Sequence, residues 1–143
     1  MKNAKLWIFV FTLAVWVKGY AGGHIELSGY PTKNLEYKFE IYTGAIDRWD
    51  SVAQEAPPLS PGKAIHIAKK FVRMVPLEES MEKWDLHTVT LVRMASSPEE
   101  WIYKIRFDGS PKGVWNGPVP WIEVPVRFDG TIPKPTIKGK AKG

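Results

Sequence analysis

Three stretches of this chain alternate apolar and polar side chains with a period of two, a pattern that fits a half-buried strand and no helix. In EYKFEIYTG, Tyr37, Phe39 and Ile41 fall on one side and Lys38, Glu40 and Tyr42 on the other, with Gly44 ending what reads as the first strand. WIYKIRFDG sets Trp101, Tyr103, Ile105 and Phe107 against Lys104, Arg106 and Asp108. PWIEVPVRFDG sets Ile122, Val124, Val126 and Phe128 against Glu123 and Arg127, and Pro125 inside it calls for an edge position or a bulge. A further segment, WDLHTVTLVRM, carries Trp84 and Leu86 in one phase and Val89 and Leu91 in the other, so a bulge is expected near His87 and Thr88.

One segment has the other period. In SPGKAIHIAKKFVRMVP, Ser60 is placed to cap a helix, Pro61 suits its first turn and Pro76 closes the run. At 100° per residue, Ala64, Ile65, Ile67, Ala68, Phe71, Val72, Met74 and Val75 share one arc, opposite Lys63, His66, Lys69, Lys70 and Arg73. AIDRWDSVAQEAPPL, with Pro57 and Pro58, reads as a loop with a helical turn around Asp47 to Gln54. The fold class expected from these segments is α+β, a small antiparallel sheet of about four strands packed on one amphipathic helix.

The tetrapeptide RFDG occurs at Arg106 to Gly109 and again at Arg127 to Gly130. Both copies read as the end of an alternating strand, Phe the last inward residue and Asp-Gly the turn pair. Two isolated aspartates make too small a ligand set for a shared cation.

Residues 1–21 read as a secretory signal: Lys2 and Lys5, an apolar run LWIFVFTLAVWV, then Gly19-Tyr20-Ala21 as a small-x-small cleavage site. The run is shorter than the roughly 20 apolar residues that span a bilayer. Retention as an uncleaved anchor is the alternative, and Lys18 before the cut is an irregularity. Residues 22–133 then form a single domain, and 134–143, KPTIKGKAKG, a solvated, disordered basic tail. The formal charge of +5 belongs to the two ends, since residues 22–133 carry 13 basic and 15 acidic groups. Nucleic acid, which needs a basic face on the fold itself, is not expected as a partner. There is no cysteine, which removes disulfides, thiolate metal sites and thiol catalysis, so an exported domain must hold together by packing.

Candidate chemistry is sparse. His24 lies next to the new N-terminus, His66 on the cationic helix face and His87 in mid-strand, and no pair has metal-ligand spacing on one element. No serine sits in a G-x-S-x-G elbow; Ser96, Ser97 and Ser110 read as turn residues. Glu78, Glu79, Glu82, Glu99 and Glu100 read as surface charge. SPKGVWNGPVP lacks the Lys-Ser/Thr ending of a phosphate loop. No catalytic residue, cofactor site or metal site is therefore expected. The same connection is long, stiffened by three prolines, and carries Trp115, which either folds over the core edge or offers an anchor. Trp115 and Trp121 are the candidate partner-binding residues.

Ser60, Ala64, Ile67 and Ala68 in the helix, Tyr103, Ile105 and Phe107 in YKIRF, and Asp129, Gly130, Thr131 and Ile132 at the end resemble the pattern of a PepSY-type domain between Ser60 and Pro135. The resemblance implies an exported or periplasmic, noncatalytic α+β module associated with propeptides of thermolysin-type peptidases, which binds peptides or restrains a peptidase. A protein or peptide partner is thus expected, reached through an exposed sheet edge or the Trp115 loop. A structural cell-envelope protein and a small hydrolase with an unrecognised site are the alternatives.

Overall fold

The computed structural model describes residues 23–42, 44, 48–95 and 97–139. The signal-like segment lies outside them. The elements run β1 (His24–Thr32), β2 (Leu35–Tyr42), α1 (Pro61–Val72), β3 (Met81–Met94), β4 (Ser97–Pro111), β5 (Trp121–Val126) and β6 (Thr136–Gly139). All six strands join one sheet in the order β3-β4-β5-β1-β2-β6, and every pairing is antiparallel.

This overturns the four-stranded α+β expectation. The described residues are mostly β, with one 12-residue helix among them. The two additional strands have physical reasons to escape a periodicity reading. β1, HIELSGYPT, carries Gly29 and Pro31 within three positions, both residues that depress strand propensity. β6, TIKG, has four exposed residues and no apolar alternation, so the segment read as a disordered tail pairs with β2 through its backbone alone. Among the described residues no helix is long and apolar enough to cross a membrane.

The inward residues are those the alternation picks out. Phe39, Ile41, Ile105, Ile122, Val124 and Val126 are all fully buried, joined by Tyr103 and Phe107. Each aromatic removes about 150–250 Å² from water, which lets a domain without disulfides hold a core. The helix begins as its sequence dictates: Ser60 is extended (φ −69°, ψ 149°) and its hydroxyl accepts from the Lys63 N–H at 3.3 Å. Ala64, Ala68 and Val72 are buried, and the Phe71 ring meets Phe39 edge-on at 5.9 Å. The helix stops at Val72, with the Arg73 N–H returning to Lys69 O. Met74 therefore leaves the apolar arc assigned to it and is 78% exposed.

The expected bulge lies where the phase change put it, with the β3–β4 register shifting between Leu86 and Thr88. Pro125 is central by strand order yet paired on one side, since β1 reaches β5 only at Gly29↔Ile122 and Tyr30↔Trp121 while β4 pairs Lys104 with Pro125. The missing N–H of Pro125 thus costs no ladder bond to β1. The RFDG copies differ. Gly130 has φ 83° and Asp129 Oδ1 accepts from the Thr131 N–H and hydroxyl, so the second copy is the turn its residues imply. These bonds from Thr131 hold the Asp129 carboxyl below its usual value. The first copy is not a turn: β4 continues to Pro111, with Asp108 paired to Asp85 and Gly109 to Trp84.

Tyr103 anchors the loop before the helix by donating its hydroxyl to Leu59 O at 2.6 Å. Burial pushes this phenol from 10.0 up to about 12. A raised value in the folded state means that the stability Tyr103 contributes is intact below pH 10 and is lost as pH rises toward 12. Alkaline titration followed by circular dichroism is expected to show a loss on the order of 2 kcal/mol across that window. Tyr103→Phe removes this pH dependence and costs about 1–2 kcal/mol at neutral pH, because the buried Leu59 carbonyl loses its donor.

Candidate functional site

The sheet face away from the core is polar, and one region of it is aromatic. Trp121 opens β5 directly opposite Asp108 on β4 and Tyr30 on β1. The Tyr30 ring meets Trp121 edge-on at 5.5 Å, and the Arg106 guanidinium lies over its face at 4.8 Å from the ring centre. Arg106 Nε in turn donates to Asp108 Oδ1 at 2.9 Å, while His87 Nδ1 lies 3.1 Å from Asp108 Oδ2. Trp121 is held between a cation and an aromatic edge, each worth about 0.5–1 kcal/mol at a partly exposed site. The Tyr30 hydroxyl reaches Glu36 Oε1 at 3.2 Å, and this carboxylate raises the Tyr30 phenol above its usual value.

Trp115 approaches the same region from the loop after β4. Its indole N–H is held by Gly117 O at 3.1 Å, with Pro118 O at 3.4 Å, which fixes the ring on its own loop. At 37% exposure it is no part of the core cluster, so the loop presents it and does not fold it inward. Trp115, Trp121, Tyr30, Met81, Pro118 and Pro120 line an open cleft of about 280 Å³, with Lys33 and Glu78 at its rim. The Lys33 backbone N–H donates to the Glu78 carboxylate, tying the β1–β2 turn to the segment after the helix. Glu78 is thus a structural link where the sequence suggests loose surface charge.

A larger depression of about 430 Å³ lies between α1 and β3, rimmed by Lys69, Arg73, Lys83 and Glu82 over Val72 and Trp84. It contains neither candidate tryptophan. His66 is exposed on the helix. Glu100 departs most from its expected place: it is 2% exposed, and its Oε1 accepts from the Gly44 N–H at 2.7 Å, which draws the carboxylate inward.

A second cluster sits at the start of β1. Donor atoms of His24, Glu26 and Glu40 lie within 4.8 Å of one another. The His24 ring stacks on Tyr42 at 5.5 Å with 23° between planes, and Lys38 pairs with Glu26 at 2.9 Å. The Glu26 bond raises the Lys38 ammonium, and Glu40 likewise raises the Tyr42 phenol. Spacing along one element could not reveal this group, because Glu40 comes from the neighbouring strand, opposite Glu26.

Of the residues that build the tryptophan cleft, Trp115 and Trp121 are visible in the sequence as aromatics on and beside a proline-rich connection. Tyr30 and Met81 are not, since β1–β5 pairing and the β3–β4 hairpin bring them in from far along the chain. Comparison with protein-family models, curated proteins and solved structures gave no match to this chain, which leaves its own geometry to carry the functional reading.

Proposed function

We propose that this protein is an exported, noncatalytic binding module that takes an extended, proline-containing peptide segment in the cleft between Trp115 and Trp121. The observation that carries the reading is the convergence of two preset indole rings, Tyr30 and two loop prolines on one open cleft. At about 280 Å³ the open cleft lies just below the usual size of a small-molecule site. Aromatic-lined grooves suit such segments because a polyproline II strand arrives already ordered and loses little entropy on docking. The signal-like residues 1–21 support export. The specific form implied by the PepSY resemblance is that the bound segment belongs to a peptidase, which the module restrains.

Titration with a proline-rich decapeptide, read by tryptophan fluorescence and by amide chemical shifts, is expected to saturate and to move the amides of residues 115–121. Trp115→Ala is expected to weaken binding about tenfold or more, equivalent to about 1.4 kcal/mol, with the melting temperature preserved because the ring lies outside the core. Trp121→Phe, which keeps an aromatic body, is expected to weaken it less. Absence of saturation in the parent chain, or equal affinity in Trp115→Ala, would end the cleft reading. A thermolysin-type peptidase whose rate is unchanged by excess protein removes the peptidase form alone.

A further inference from the structure

We infer that two copies of this chain join edge to edge through β3, antiparallel about a two-fold axis at Val89, to form one continuous sheet. β3 ends the strand order, and among the described residues it pairs with β4 alone. Its other edge offers backbone N–H and C=O groups along a 14-residue strand, a template that another strand can extend. The bulge decides which strand fits. β3 steps from Leu86 opposite Phe107 to Thr88 opposite Arg106, so His87 is the extra residue and drops out of the ladder. The rungs that remain run Leu86, Thr88, Val89, Thr90, Leu91, the same residue types in either direction. An antiparallel pair about Val89 therefore sets Leu86 against Leu91, Thr88 against Thr90, and Val89 against its own copy.

The faces match as well as the residue types. Leu86, Val89 and Leu91 stand opposite the buried Phe107, Ile105 and Tyr103, whereas Thr88 and Thr90 stand opposite Arg106 and Lys104 on the polar face. Without the bulge, Leu86 and Leu91 would point to opposite faces and the match would fail. The core-face row is also unfinished in a single chain: Leu86 is 38% exposed, and Trp84, Val89 and Leu91 are only partly buried against the core. A second copy continues that row. No charge lies on the five rungs, and the charges beyond them are complementary. Asp85 falls opposite Val92 and Arg93 opposite Trp84, so the single positive charge of Arg93 meets the segment Glu82, Lys83 and Asp85, which carries one net negative charge, on both sides of the axis. Arg93 already lies 5.7 Å from the Trp101 ring centre, and Trp84 gives it a second indole. Other arrangements lose these pairs. A parallel pair sets Arg93 beside Arg93, and moving the axis one rung to Thr90 sets Leu86 against Arg93. The contact uses the same patch on both copies, so it closes at two chains.

Sedimentation velocity of the full exported chain over a range of concentrations is expected to show a monomer–dimer equilibrium, with amide hydrogen exchange at residues 86–91 slowing as the dimer forms. Thr88→Glu with Thr90→Glu sets carboxylates opposite each other on two rungs and is expected to weaken the dimer about tenfold or more. Its circular dichroism spectrum should match the parent's, because both threonines lie on the polar face. Thr88→Glu with Thr90→Lys sets opposite charges across the same rungs and is expected to recover the dimer. This pair of variants reads the register, since only an axis at Val89 brings positions 88 and 90 together. A parent chain that stays monomeric at every concentration overturns the inference. So does a first variant that dimerises like the parent, or a second that stays monomeric. A dimer that is lost in Trp115→Ala, with exchange at 86–91 the same in monomer and dimer, places the contact at the cleft and overturns it as well.

Discussion

Gly29→Ala is expected to destabilise the fold by about 3 kcal/mol or more, among the larger effects available to a single methyl group. A Cβ at position 29 would lie 2.4 Å from Ile122 Cγ1, 2.7 Å from its Cβ and 2.8 Å from its Cα. A flexible side-chain tip could yield; the Ile122 backbone cannot, because it sits inside the β4–β5 ladder opposite Phe107. The rungs Gly29↔Ile122 and Tyr30↔Trp121 are also where β1 pairs with β5, and so join β3-β4-β5 to β1-β2-β6. The substitution must therefore push the two halves of the sheet apart or unfold one of them. Guanidinium denaturation is expected to show a lower midpoint, and in the surviving native fraction the decapeptide should bind more weakly, since Tyr30 moves off Trp121. A cost below about 0.5 kcal/mol, the range of an ordinary surface change, would mean that β1 slides past β5 freely and that the junction is not tight.

Phe39→Ala is expected to cost about 3–5 kcal/mol, the range for removing a buried phenylalanine and leaving a cavity behind. Phe39 is fully buried on β2, with the Phe71 ring of α1 edge-on against it. The half-buried Phe71 loses less water-excluded area when truncated, so Phe71→Ala should cost clearly less. Thermal unfolding of the two variants side by side checks the order. Equal costs, or the reverse order, would show that the helix and not the sheet dominates the core.

That ordering bears on what the sequence could and could not convey. Tyr37, Phe39 and Ile41, then Tyr103, Ile105 and Phe107, then Ile122, Val124 and Val126, are legible because strands buried on one face write a period of two into the chain. Ser60 and the bulge near His87 are legible for similarly local reasons. β1 and β6 are not: one carries Gly29 and Pro31 for reasons of close packing and the other has no buried side chain, so neither displays a strand signal. Local chemistry also misleads at Asp108-Gly109, a turn pair by composition that stays in strand because β3 pairs alongside it as far as Pro111. The Met81 side chain lies 3.2 Å from where a Gly109 Cβ would stand, so that glycine serves packing and not turning. Glu100 was legible only as a charge; its burial depends on the Gly44 amide it satisfies. In the cleft, the two tryptophans announce themselves, whereas Tyr30 and Met81 join them, and Arg106 comes over Trp121, only through strand pairing.

The four residues of β6 lie along Leu35, Glu36, Tyr37 and Lys38, the outer half of a strand whose other side already belongs to β1. They bury no side chain, yet they occupy backbone donors and acceptors that a stranger chain could otherwise use to extend the sheet. β6 then forms one edge of the sheet and β3 the other, and Lys138 is the one charge that β6 sets along its edge.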